Sequence, residues 1–347
     1  MAGHDWSQGM TVAGHDGSQG MTVGTGWSGT GTGTRWRVES WDPGYGASTE
    51  EEPQRSRIEP TLDLELDPAL WRPVDPEPSA PAWETVLFVD GVRRIDAIGW
   101  SGQGSGPDGT PAMGLFASYA AGAVCCRPGN AELVDFEVRR GLFSGDPRTS
   151  DLVTTAGGYA GVAVQLKVEP QPAQQLSQAI QDGMRSCERQ VSERVRAGLP
   201  ATDILVVDGP LNRDVRLPRT LGYAKTHGIL YLPVELNRMV GELVPGQRTP
   251  VFGIGDRFSW YLKLPGGAGA PWAGVVRVEC WADIPVDTAI ELAAGCQASL
   301  GRYASCEYKD ARAPQNLYPI AGLERELRRR LGDQRLLHRA IRFAGAG

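Results

Sequence analysis

Two acidic residues occupy the same place in two apolar runs. Asp90 ends "TVLFVD" and Asp208 ends "DILVVD"; each is followed by Gly, and the two lie 118 residues apart. An apolar run closed by Asp-Gly reads as a buried strand and its exit turn, in which Asp caps the turn and Gly takes positive φ. Singly, each is an ordinary strand end. As neighbouring parallel strands, they would bring both carboxylates to one edge of a sheet, where ligands gather in open α/β folds. Paired carboxylates suit a hard divalent cation such as Mn²⁺ or Mg²⁺. Two such ions about 4 Å apart can activate water and stabilise the leaving oxygen in phosphodiester hydrolysis.

A third acid is expected from the helix between these strands. In residues 172–198, Leu176, Ile180, Met184, Cys187, Val191 and Val195 recur at steps of three and four, forming a core-facing stripe. Glu188 falls on that stripe, where an unpaired carboxylate is costly. It is therefore either salt-bridged or a metal ligand. Shortly after the second acid, "GYAKTH" supplies Lys225 and His227. Lys225 is a point charge for a scissile phosphate or a plain surface lysine. His227 is a phosphate contact or proton carrier, or else a hydrogen-bonded structural histidine. Arg93 and Arg94, just past Asp90, are placed for phosphate contact. Further basic residues, Arg325, Arg328, Arg329, Arg330 and Arg335, lie on an amphipathic C-terminal segment. They track phosphates or form a solvated face. Trp260, Tyr261 and Trp272 stack on unpaired bases or belong to the core.

The elements that must position these groups follow from periodicity. Strands are expected at 85–90, continuing through 93–100, at 112–126 and at 131–143, the last two joined by a Gly-Asn turn. The helix at 172–198 comes next, then the strand at 203–208 and a helix at 233–243. A strand pair at 248–255 and 257–264, a strand at 274–281, and helices at 287–302 and 321–343 complete the chain. Three strands followed by strand–helix alternation give an α/β fold, a ribonuclease-H-like mixed sheet flanked by helices. Upstream, residues 1–34 are a Gly/Thr/Ser-rich tail in which "AGHDWSQGMTV" returns as "AGHDGSQGMTV". This tail reads as disordered. Residues 35–84 form an acidic, Pro-rich leader in which "TLDLELD" is a candidate edge strand.

The net charge of −6 conceals an asymmetry: residues 1–84 carry 14 acidic and 5 basic side chains, leaving residues 85–347 at +3. A mildly basic body is compatible with a nucleic-acid partner. The six cysteines form no CxxC pair, which excludes zinc-ribbon spacing. No apolar run is long enough for a transmembrane helix, and no basic-then-apolar start signals secretion, so a cytoplasmic protein with reduced thiols is expected.

Several segments, "FVDGVRRID", "ILVVDGPL", "GYAKTHGILYLP", "RTPVFGIG", "SWYLKLP" and "APQNLYPIAGLERELRRRL", resemble in content and order the NurA nuclease family over residues 85–345. The resemblance implies a ribonuclease-H-like core, Mn²⁺-dependent (or Mg²⁺-dependent) DNA end processing and a homodimer. It also implies partnership with a HerA-type hexameric ATPase. Asp90 and Asp208 match the family's two Asp-Gly acids, and Tyr318 matches its Tyr-Pro. The family's His after Tyr-Pro, which helps to bind metal, is absent here; Glu324, Glu326 or Asp310 would replace it. The expected catalytic set is Asp90, Glu188, Asp208, Lys225 and Tyr318. The expected metal set is Asp90, Glu188, Asp208 and Glu326, and substrate contacts are Arg93, Arg94, Lys225 and His227. Two readings compete: a non-catalytic DNA-binding or adaptor subunit, and a scaffold whose Asp-Gly turns are purely structural. Asp90 and Asp208 more than about 10 Å apart, too far to share metal ions, would favour the scaffold.

Overall fold

The computed structural model describes residues 54–345 apart from 102–109, 201, 212–214, 267–271, 307, 309 and 311. The repeat-bearing tail and the start of the leader lie outside the described residues. Twelve strands are present among the described residues: β1 Gln54–Arg55, β2 Val86–Trp100, β3 Met113–Arg127, β4 Asn130–Ser144, β5 Leu152–Thr154, β6 Gly157–Ala163, β7 Ile204–Asp208, β8 Thr220–Ala224, β9 Ile229–Leu230, β10 Phe252–Ile254, β11 Arg257–Lys263 and β12 Val275–Trp281. The α-helices are α1 Pro172–Ala197, α2 Val234–Glu242, α3 Val286–Ser299, α4 Tyr318–Arg330 and α5 Gln334–Ala344.

Ten strands form one mixed sheet in the order β10-β11-β12-β8-β7-β2-β3-β4-β6-β5. At its centre, β4, β3 and β2 are antiparallel neighbours, and β7 and then β8 join β2 in parallel. This is the ribonuclease-H-like order expected from the sequence. The β3–β4 hairpin forms where a turn was expected, but its two-residue loop is Pro128-Gly129, with Gly129 at φ 76°; Asn130 already belongs to β4, paired with Arg127.

Alternation along β2 sorts its side chains between two cores. Val86, Phe88 and Val92 pack on the face covered by α3 and α4. Leu87 and Val89 pack on the face covered by α1. The stripe read from the sequence is the one α1 buries: Leu176, Ile180, Met184, Cys187 and Val191. Each such side chain contributes about 1.5–3 kcal/mol. The run of Ala and Gly in β3 lets helices approach the sheet closely. A Cβ at Gly122 would meet Leu327 at 3.0 Å and Leu323 at 3.2 Å, both on α4.

Four expectations need correction. The first Asp-Gly is no exit turn: β2 runs unbroken through Asp90 and Gly91, paired with Gly122 and Ala121. The helix expected at 321–343 is two helices, broken at Gly332 (φ 86°) and restarted by Asp333, whose carboxylate accepts the Arg335 and Leu336 N–H groups. Strands β5, β6 and β8 were not anticipated. "TLDLELD" contributes one bridge, Thr61 to Gly253, rather than a strand. Its Glu65, partly buried, is the counter-ion of buried Arg248, which donates to both carboxylate oxygens at 2.7 and 2.8 Å; the Val251 N–H adds a third bond. Removing either partner would cost about 3–5 kcal/mol by stranding the other. The end of the acidic leader is thus stitched to the body.

Candidate metal centre

β2 and β7 run parallel with Val89 opposite Val207, which places Asp90 and Asp208 side by side. By strand alternation both share the parity of the α4-facing residues, Phe88 on β2 and Val206 on β7. From α4, packed on that face, Glu324 reaches the same point. Carboxylate oxygens of Asp90, Asp208 and Glu324 all lie within 4.8 Å of one another. Asp90 is only 7% exposed and Glu324 6%. Burial, and after it the charge of Asp208, hold the Asp90 carboxyl well above the ordinary carboxylate range, while Lys225 pulls it back.

Glu188 approaches from the opposite face. It reaches β2 over Gly91, where a Cβ would stand 2.5 Å from Glu188 Oε1 and 2.9 Å from Met184 Cγ. Burial, then Asp208, push the Glu188 carboxyl up to about 7, against the pull of Arg185. Glu188 is therefore in the electrostatic field of the cluster, although the tight triplet is completed by Glu324.

Three cations hold the acids. Lys225, one residue past β8, donates to Asp208 Oδ2 at 2.6 Å and to Asn316 Oδ1 at 3.1 Å. Arg312 and Arg328 each donate to one oxygen of Glu324, at 2.8 and 2.9 Å. Two buried oxygens, Asp90 Oδ2 and Asp208 Oδ1, have no hydrogen-bond partner among the described residues. A cavity of about 940 Å³ opens onto Asp90, Glu188, Asp208 and Lys225, walled by Arg185 and Arg189 on α1 and by Arg257 on β11. Behind it, Glu279 accepts from Arg257 and Arg277 and from the Leu211 N–H, bracing the turn that follows Asp208.

The remaining expected site residues lie elsewhere. Glu326 pairs with Arg329 and Arg330 and lines a separate cavity with Tyr318. Helix geometry explains the exchange: Glu324 faces the sheet, whereas Glu326, two residues on, is rotated by about 200°. Tyr318 opens α4 and donates to Cys306 Sγ at 3.1 Å, away from the triplet. His227 is a core histidine: its Nε2 lies 2.9 Å from the Val275 carbonyl oxygen, it packs on Tyr261 and Trp272, and burial pulls it down to about 4. Trp260 and Tyr261 are fully buried. Arg93 donates to Ser177 on α1, and Arg94 donates to Asp96 and the Gly332 carbonyl. Both lie about 10 Å or more past Asp90 along the strand. Asn316 and Arg312 were missed; nothing in local spacing links them to Asp208 or Glu324. Arg328, read from the sequence as a phosphate contact or a solvated face, instead pairs with Glu324 one helical turn before it.

No protein-family model matches the chain, and no curated protein matches it. Among solved structures, the chain is similar to the crystal structure of the NurA nuclease from Sulfolobus solfataricus, with 10% identity, 80% of this chain and 86% of that chain covered, and a TM-score of 0.41. It is also similar to the catalytic domain of human endonuclease V, with 14% identity, 75% of this chain and 91% of that chain covered, and a TM-score of 0.28.

Proposed function

We propose that this chain is a metal-dependent nuclease that hydrolyses phosphodiester bonds in DNA. The observation that carries the reading is the Asp90–Asp208–Glu324 triplet, with one oxygen of each within 4.8 Å of the others, and two buried carboxylate oxygens, Asp90 Oδ2 and Asp208 Oδ1, without a hydrogen-bond partner among the described residues. Carboxylates this close repel unless a cation joins them, and an all-oxygen set fits Mn²⁺ or Mg²⁺. Asp90, Asp208 and Glu324 would hold the metal, with Glu188 as a further carboxylate beside them. Such an ion supplies positive charge to phosphate oxygens and acidifies a water for attack.

The chain's own residues supply the rest. Lys225 holds a fixed positive charge at the cavity wall, where it offsets charge gathering on a phosphate. Glu188, with its carboxyl near neutrality, is suited to accept a proton from the attacking water. Arg185 and Arg257 make the walls attractive to a phosphate backbone. DNA as the substrate, a homodimer and a HerA-type ATPase partner rest on the sequence resemblance alone. The non-catalytic alternative was motivated by the missing His; Glu324 in the triplet supplies an acid in its stead and favours catalysis.

The test is cleavage of end-labelled single- and double-stranded DNA with Mn²⁺. Asp208→Ala should lower the rate by on the order of 10²–10³-fold, and chelation should abolish it. Glu324→Gln should cost roughly 100-fold, whereas Glu326→Gln should stay within about twofold of wild type. Undiminished cleavage by Asp208→Ala would sink the reading.

A further inference from the structure

The segment that leads into α4 carries a chain of polar groups ending at the cavity. Asn316 is 1% exposed. Its Nδ2 donates to Asp310 Oδ2 at 2.6 Å, while its Oδ1 accepts from Lys225 Nζ at 3.1 Å. Asp310 Oδ1 accepts the Arg312 N–H at 2.8 Å, and the Asn316 N–H bonds the Arg312 carbonyl at 3.0 Å. An ammonium only donates, and an ionised carboxylate only accepts. The amide therefore has one consistent orientation, oxygen toward Lys225 and NH₂ toward Asp310.

We infer that Asn316, oriented by Asp310, is a positioning residue that fixes the Lys225 ammonium at the cavity wall. The catalytic meaning of this rests on the nuclease reading above. A lysine side chain has four flexible carbons and high rotamer entropy. Held by Asp208 alone, its ammonium would follow that one carboxylate. A second acceptor on Asn316 pins it between two elements and leaves the third N–H for a substrate oxygen. The same segment sends Arg312 to Glu324. Residues 310–316 thus brace both the lysine and the third acid, from a stretch that contributes no residue to the triplet.

The experiment compares the full chain with Asn316→Ala, Asp310→Ala and Asp310→Asn. The chain has only four lysines, Lys167, Lys225, Lys263 and Lys309, so mass spectrometry can follow acylation of Lys225 by a small N-hydroxysuccinimide ester. Acylation of Lys225 should rise severalfold in Asn316→Ala and Asp310→Ala. It should stay at the wild-type rate in Asp310→Asn, whose amide oxygen can still accept from Asn316. Unchanged rates at Lys167 and Lys263 report an intact fold. The kcat for Mn²⁺-dependent cleavage should fall about tenfold or more in the two alanine variants at unchanged KM, and recover in Asp310→Asn. Unchanged Lys225 acylation in Asn316→Ala overturns the inference. Raised acylation with unchanged kcat overturns its catalytic part. A wild-type chain that cleaves nothing defeats the nuclease reading, while the acylation rates still decide whether Asn316 positions Lys225.

Discussion

Val89-Asp90-Gly91 and Val207-Asp208-Gly209 are the same tripeptide in neighbouring parallel strands, and the fold uses them differently. In the first, the strand continues for nine residues beyond Gly91. Gly91 is there for lateral room, because α1 brings Glu188 against it. In the second, the strand stops at Asp208, and Gly209 turns the chain at φ 94° with nothing within 4 Å of where a Cβ would stand. The acids differ as well. Asp208 has an ammonium at 2.6 Å, whereas Asp90, among the described residues, bonds only the Gly91 N–H, at 2.7 Å, and lies in the field of Asp208, Glu324 and Glu188. One motif thus yields a compensated and an uncompensated carboxylate, the asymmetry that a bound cation would relieve.

Neutralising each acid should expose that difference most sharply. Asp90→Asn and Asp208→Asn should both lower cleavage by on the order of 10²-fold or more. In chelator, however, their melting temperatures should diverge. Asp90→Asn removes a buried, repelled charge and should melt a few degrees higher, about 2–4 °C per kcal/mol for a domain of this size. Asp208→Asn leaves the largely enclosed Lys225 ammonium without its counter-charge and should melt lower. Equal shifts of the same sign would erase the contrast.

The glycines form the next pair. Gly91→Ala should displace the flexible ends of Glu188 and Met184, cutting cleavage roughly tenfold while the fold holds. Gly209→Ala meets no neighbour but forces alanine into a left-handed backbone, costing about 1–3 kcal/mol in denaturant titrations. If Gly91→Ala proved the more damaging to stability and the less damaging to cleavage, the assigned roles would be reversed.

The smallest effect is a pH slope. Glu188 is held up to about 7, so the folded chain keeps its proton better than the unfolded one. Its contribution to stability is full below about pH 4, the ordinary carboxylate range, and is lost as pH rises through about 7. Asp90 shifts the same way, whereas Glu137, Glu326 and Asp333 shift the opposite way, so the informative quantity is wild type minus Glu188→Gln in chelator. That difference should decline from pH 4 to 8; a flat line would remove Glu188 from the field of Asp208.

Much of this was legible in the sequence because it is periodic. The α1 stripe, the apolar runs of β2 and β7 and the β3–β4 hairpin each follow from local spacing, and the chain order of strands and helices implied the sheet order. Asp90 and Asp208 were legible for the same reason. Glu326 was preferred to Glu324 although the apolar spacing of Leu323 and Leu327 already turns Glu324 toward the sheet; the packing of that face on β3 at Gly122 is what carries it to the acids. His227 in "GYAKTH" looked chemical, but its surroundings come from β11 and the segment before β12, far along the chain.

The sequence by itself determined most of the strands and helices, and that Asp90 and Asp208 close matching apolar runs and so share a strand face, because those depend on short-range periodicity and strand parity. Only the tertiary structure decided that Glu324 rather than Glu326 joins them, that Gly91 is a seat for Glu188 and not a turn, and that Asn316 meets Lys225. Those facts depend on where the faces of distant elements meet and press together, and no local pattern encodes that meeting.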